Sequence, residues 1–141
     1  EKFGFCTTVK VPMTKDGLAA CRELPYQNIR VNVTLIFSAA QAILAARAGA
    51  YYVSSCVGRL DDQSVAGLEV VRSISELYRI HGCPTQVLSA SIRSVQRAVR
   101  SWYNGAQVVT MPPKIFEDMY NHILTDKGLE IFDKDWQSVV Q

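Results

Sequence analysis

Five times along this chain a short β-like run gives way to an amphipathic helical run, and that alternation argues for a parallel sheet covered by helices. The first strand is predicted over about 5–11, and its helix from about Lys15 to Leu24 with Thr14 as N-cap. A strand over about 30–36 precedes a helix that opens on the capping box Ser38-x-x-Gln41 and ends near Gly49. From a third strand, about 51–56, the loop Gly58-Arg59-Leu60-Asp61-Asp62-Gln63 leads into a helix with Leu68, Val71, Ile74 and Tyr78 on one stripe, stopped by Gly82. A fourth strand, about 86–90, precedes a helix with Val95, Ala98, Val99 and Trp102 turned inward and Asn104-Gly105 at its end. The fifth, about 107–111, stops at Pro112-Pro113, where a helix tolerates proline as its first residue. A last helix from about Asp126 carries Leu129, Phe132 and Trp136 at spacings of three and four. Both tryptophans, Trp102 and Trp136, are expected to be packing residues.

Polar residues choose between α/β folds. In a (β/α)8 barrel the chemistry gathers at the C-terminal ends of the strands, on inward side chains or on the loops just beyond. Near those ends stand Lys10, Asn32 with Thr34, Ser54 with Cys56, and Ser91 with Arg93. A doubly wound sheet would lead one to expect a phosphate-cradling Gly-x-Gly-x-x-Gly after the first strand, and the sequence has none. Part of a TIM barrel, about five of its βα units, is therefore expected over 1–125, with a separate C-terminal helix over 126–141.

Within the first strand, alternation puts Phe5, Thr7, Val9 and Val11 on one side and Cys6, Thr8 and Lys10 on the other. An amine enclosed by apolar neighbours tends to give up its proton and becomes a nucleophile toward carbonyls. The competing reading is an edge-strand lysine pointing at water. Lys10 is the one lysine on the pocket face of a strand, since Lys2, Lys15, Lys114, Lys127 and Lys134 fall at ends, loops or helices.

With 141 residues, 48% of them hydrophobic, the chain can bury one sizeable core. A net charge of +2 with no Lys/Arg run argues against nucleic acid as a partner. The cysteines Cys6, Cys21, Cys56 and Cys83 form no Cys-x-x-Cys pair, and only His81 and His122 could join them, so no zinc site is expected. Reduced thiols in a cytoplasmic protein fit that pattern. The longest apolar stretch, Val33 to Ala46, is broken by Gln41 and closed by Arg47, too short for a membrane span, and the N-terminus lacks the apolar centre of a signal peptide.

Five segments together carry a family resemblance: Val9-Lys10-Val11-Pro12-Met13-Thr14, Asn32-Val33-Thr34-Leu35-Ile36-Phe37-Ser38-Ala39-Ala40-Gln41-Ala42, Gly58-Arg59-Leu60-Asp61, Ala90-Ser91-Ile92-Arg93 and Leu124-Thr125-Asp126-Lys127-Gly128-Leu129. In order and spacing they resemble the small transaldolases and the closely similar fructose-6-phosphate aldolases. The resemblance implies a class I barrel in which Lys10 forms a Schiff base with a sugar-phosphate ketone, with no cofactor. It further implies that Asn32 and Thr34 line the pocket, that Ser54 and Ser91 touch the sugar, and that Arg59 and Arg93 grip its phosphate. Read singly, either arginine is an ordinary solvated charge, and Asn32 with Thr34 an internally satisfied polar pair. Transfer of a dihydroxyacetone unit, as in the pentose phosphate pathway, is the activity implied; simple cleavage of fructose 6-phosphate, or a barrel remnant without catalysis, are the alternatives. The family's rings, pentameric or decameric, imply a homo-oligomer held by the C-terminal helix.

The chain departs from the family pattern in two respects. The family's barrel has three βα units before the lysine strand, which carry an aspartate and the residue that positions a catalytic water. Five strands alone leave two unpaired edges, so a piece of a longer chain, or a degenerate homologue completed by a partner, is expected. At Cys56 the aldolases have tyrosine and the transaldolases phenylalanine, so this position does not tell transfer from cleavage.

Overall fold

The computed structural model describes residues 7–140. Lys2, Phe5 and Cys6, named above at the start of the chain, and Gln141 lie outside the described residues. Five strands, β1 (Thr8–Pro12), β2 (Arg30–Ile36), β3 (Tyr52–Cys56), β4 (Gln86–Ala90) and β5 (Val108–Val109), form one sheet in sequence order, every neighbouring pair parallel. A doubly wound sheet would reverse its order at a switch point. This one never reverses, which is the winding of a (β/α)8 barrel, and the five βα units make up part of one.

Five helices connect the strands in turn: α1 (Lys15–Glu23), α2 (Ala39–Arg47), α3 (Val57–Asp62), α4 (Gly67–Ile80) and α5 (Val95–Tyr103). Cap chemistry starts three of them. Thr14, Ser38 and Ser94 each accept a hydrogen bond from the amide three residues on, at 3.0, 3.3 and 3.2 Å. Gln41 completes its box one residue early, its Oε1 accepting from the Phe37 amide at 2.8 Å. The expected stops at Gly49, Gly82 and Gly105 all have positive φ, the left-handed conformation that ends a helix and suits glycine.

Alternation along the strands separates two faces. Val31, Val33, Val53 and Val87 point toward the helices and join Cys21, Ala42, Ala45, Val71, Ile74 and Ala98 in one core. The opposite face, which lines the barrel lumen, carries Lys10, Asn32, Thr34, Ser54 and Cys56. Tyr78 anchors α4 on α2 by donating its hydroxyl to the Ala42 carbonyl oxygen at 2.6 Å, and burial pushes that phenol well above its ordinary value.

Four expectations are corrected. The segment Gly58–Gln63 is not a loop: Val57–Asp62 is a helix that follows β3 directly. On α5 the buried residues are Ala98 and Ser101, whereas Val99 and Trp102 are exposed. The Ser101 hydroxyl lies 2.8 Å from that of Ser89 on β4, and this contact requires a small residue where the helix meets the sheet. The fifth strand has two residues rather than five, being hydrogen-bonded only to β4. The last helix, α7 (Ile123–Val140), begins three residues early, and Trp136 on it is exposed rather than packed. Between β5 and α7 stands the short α6 (Pro113–Asp118), with Pro113 as its first residue as expected.

Candidate active site

Strand register brings the first polar group together. Lys10 on β1 is paired with Asn32 on β2, so their side chains leave the sheet on the same face. One strand further, the Ser54 hydroxyl donates to Asn32 Oδ1 at 2.7 Å. Lys10, Asn32 and Ser54 thus form a row across three strands. Thr34 is paired with Pro12 toward the C-terminal ends, and its carbonyl accepts the Met13 amide at 2.9 Å. Cys56 closes β3 opposite Ala90 and is buried.

Among the described residues, no apolar side chains enclose Lys10. It is exposed, because β1 is an outer strand of the described sheet and its lumen neighbour is the polar Asn32.

A bulge shapes the end of β2. Val33 pairs with Val53 but Ile36 with Ser55, so one extra residue is accommodated between them, and Leu35 takes φ +62°. The extra residue leaves Thr34 on the lumen face and returns Ile36 to the core, which Thr34-Leu35-Ile36 could not do in unbroken alternation. Two adjacent apolar residues at the end of an alternating strand were the signal for it.

Beyond the strand ends, α3 lies against the turn after β4. The close approach depends on Gly58: a Cβ there would collide with the Ser91 carbonyl oxygen and stand 2.9 Å from Arg93 Nε and 3.0 Å from Ser91 Oγ. Ser91 itself has φ +61°, an uncommon conformation for a residue with a side chain. Arg93 is gripped by Asp62 at the end of α3, Nη1 on Oδ1 and Nη2 on Oδ2, the latter at 2.6 Å. That fork holds the Asp62 carboxyl below its ordinary value and Arg93 above its own. Beside it Arg97 Nη2 stands 3.2 Å from Asp61 Oδ2, while Asp61 Oδ1 accepts the Gly67 amide that opens α4. A pocket of about 180 Å³ is lined by Gly58, Asp61, Ser91, Arg93 and Arg97. Arg59 projects from α3, exposed, with no ion-pair partner among the described residues.

The sequence residues thus fall into two neighbouring groups. Lys10, Asn32, Thr34, Ser54 and Cys56 lie on the lumen face; Arg59, Ser91 and Arg93 lie just past the C-terminal ends. Sequence reasoning missed Asp62, Asp61 and Arg97, although adjacent acids in Arg59-Leu60-Asp61-Asp62 were a signal that the arginines have partners. Among the described residues no group of three His, Cys, Asp or Glu could hold a metal ion, and no helix is long and apolar enough to cross a membrane.

A sheet wound in sequence order, with its polar groups at the C-terminal ends of the strands, makes this chain part of a barrel of the class that builds its active centre there. Solved structures agree on the fold alone. A lactate oxidase from Pediococcus acidilactici is 22% identical with a TM-score of 0.52, over 66% of this chain and 26% of its own. A flavocytochrome b2 variant with pyruvate bound is 19% identical with a TM-score of 0.56, over 67% and 25%. Residues 6–141 match the transaldolase/fructose-6-phosphate aldolase family, and the chain belongs to it. Relatives named "Probable transaldolase" are 53% identical in Paracoccus denitrificans, over 95% of this chain and 62% of theirs, and 49% in Caulobacter vibrioides, over 94% and 61%. The chain therefore spans about six tenths of the length of these relatives.

Proposed function

We propose that this chain carries the Schiff-base lysine and the phosphate grip of a transaldolase, which moves a dihydroxyacetone unit between sugar phosphates. The observation that supports this reading best is the shared lumen face of Lys10, Asn32 and Ser54, with Arg93 and Arg59 beyond the strand ends. Lys10 Nζ adds to the C2 carbonyl of a ketose phosphate, and loss of water leaves an iminium. The iminium withdraws the C3–C4 bonding pair as the C4 hydroxyl proton passes to a base. An aldose phosphate departs, and a three-carbon enamine stays on Lys10. Attack of its carbon on the aldehyde of an acceptor forms the new bond, and hydrolysis of the iminium frees the lysine.

Asn32, with its Oδ1 engaged by Ser54, keeps its amide N–H groups for substrate hydroxyls; Thr34, Cys56 and Ser91 line the sugar's path. Among the described residues the lumen-face strand positions carry no carboxylate, so we assign the base to a strand outside them. Arg93 and Arg59 hold the phosphate by charge-assisted hydrogen bonds. We assign the work to the cytoplasm, which the free Cys21, Cys56 and Cys83 support, and to a homo-oligomer held by α7.

Borohydride reduction in the presence of fructose 6-phosphate tests the reading. The expected result is a three-carbon mass added to the peptide holding Lys10, absent in Lys10→Met. Trapping that persists in Lys10→Met overturns the assignment.

A further inference from the structure

The anion site beyond β4 is already occupied by a group from the chain itself. Arg93 presents its two terminal nitrogens to the two oxygens of Asp62, the fork-to-fork geometry in which a guanidinium also binds a phosphate. The pair is accessible, with side-chain exposures of 57% for Arg93 and 47% for Asp62, so an incoming anion can reach both. Arg59 stands one helical turn before Asp62 on the same short helix and has no ion-pair partner among the described residues. The neighbouring Arg97 is held by Asp61, and so does not compete for Asp62.

We propose that Asp62 is a specificity-determining residue that occupies the Arg93 anion site as an internal competitor and is displaced by the phosphate of the substrate. This rests on the phosphate role given to Arg93 above and adds to it the group that the phosphate must replace. A phosphate monoester carries close to two negative charges at neutral pH and offers three oxygens, so it can engage Arg93 and Arg59 together. A carboxylate carries one charge and is satisfied by Arg93 alone. Dianionic substrates therefore displace Asp62, whereas a sugar with a carboxylate or no anion leaves the pair closed.

Binding of inorganic phosphate, titrated calorimetrically at low salt, is the test, because it needs no turnover. With Asp62→Asn we expect phosphate to bind about fivefold more tightly, the factor that follows from losing a competing exposed ion pair. Asp62→Glu retains the competition and stays near the parent value. Mere damage to the site would weaken binding in both variants, the opposite direction for Asn. Arg93→Ala separates the two ideas. If it weakens phosphate binding while Asp62→Asn fails to strengthen it, the competitor role of Asp62 is overturned and the phosphate role of Arg93 stands. If Arg93→Ala leaves phosphate binding unchanged, both fall.

Discussion

Gly58 is the residue on which the geometry of the proposed anion site depends, because it lets α3 touch the turn that bears Ser91 and Arg93. Alanine would improve the intrinsic helix propensity by about 1 kcal/mol. Its methyl group would push against the Ser91 carbonyl, and such overpacking costs about 1–3 kcal/mol. We expect Gly58→Ala to lower the urea midpoint of unfolding with an unchanged slope, and to weaken phosphate binding by moving Arg93. A midpoint equal to or above the parent's would show that the turn gives way freely. At this scale the face on which Lys10, Asn32 and Ser54 sit was legible, since a period of two follows from the strand itself. The exposure of Lys10 was not, because it depends on what lies beside β1.

Among the elements, α4 is bound to α2 by one buried hydrogen bond, from the Tyr78 hydroxyl to the Ala42 carbonyl at 2.6 Å. Tyr78→Phe keeps the ring and removes the donor, which should cost about 1 kcal/mol and speed amide hydrogen exchange in the C-terminal half of α2. Unchanged exchange would mean that packing alone holds the two helices. Helix starts at Thr14 and Ser38 and stops at Gly49, Gly82 and Gly105 could be read because a cap lies within a few residues of what it caps. The helix α3 could not: it is six residues long, has no side-chain cap and carries Gly58 second, and it is held by distant partners. On α5 the apolar residues Val99 and Trp102 misled the phase, because the residues that meet the sheet are the small Ala98 and the polar Ser101.

At the scale of the whole molecule, α7 has no buried residue along its 18 positions. Leu129, Phe132, Trp136 and Val139 recur at spacings of three and four on it, a stripe suited to a partner helix, and all are more than half exposed. Such a patch marks an interface. For the homo-oligomer proposed above, we expect truncation after Gly128 to lower the mass read by light scattering, while truncation after Val139 leaves it intact. Oligomer mass unchanged by the longer truncation would remove α7 from the interface.

The alternation of strand and helix and the lumen face of the polar residues follow from the sequence by itself. Periods of two and of three to four, caps and proline positions are local properties, expressed within a few residues of where they are written. Which carboxylate meets which arginine was decided only by the tertiary structure. Asp62 and Arg93 are 31 residues apart, and no local pattern couples them; they meet because β3 and β4 pair in one register, Gly58 allows contact at the turn, and α3 ends there. The same holds for the burial of any single side chain, which depends on neighbours that the fold brings from elsewhere in the chain.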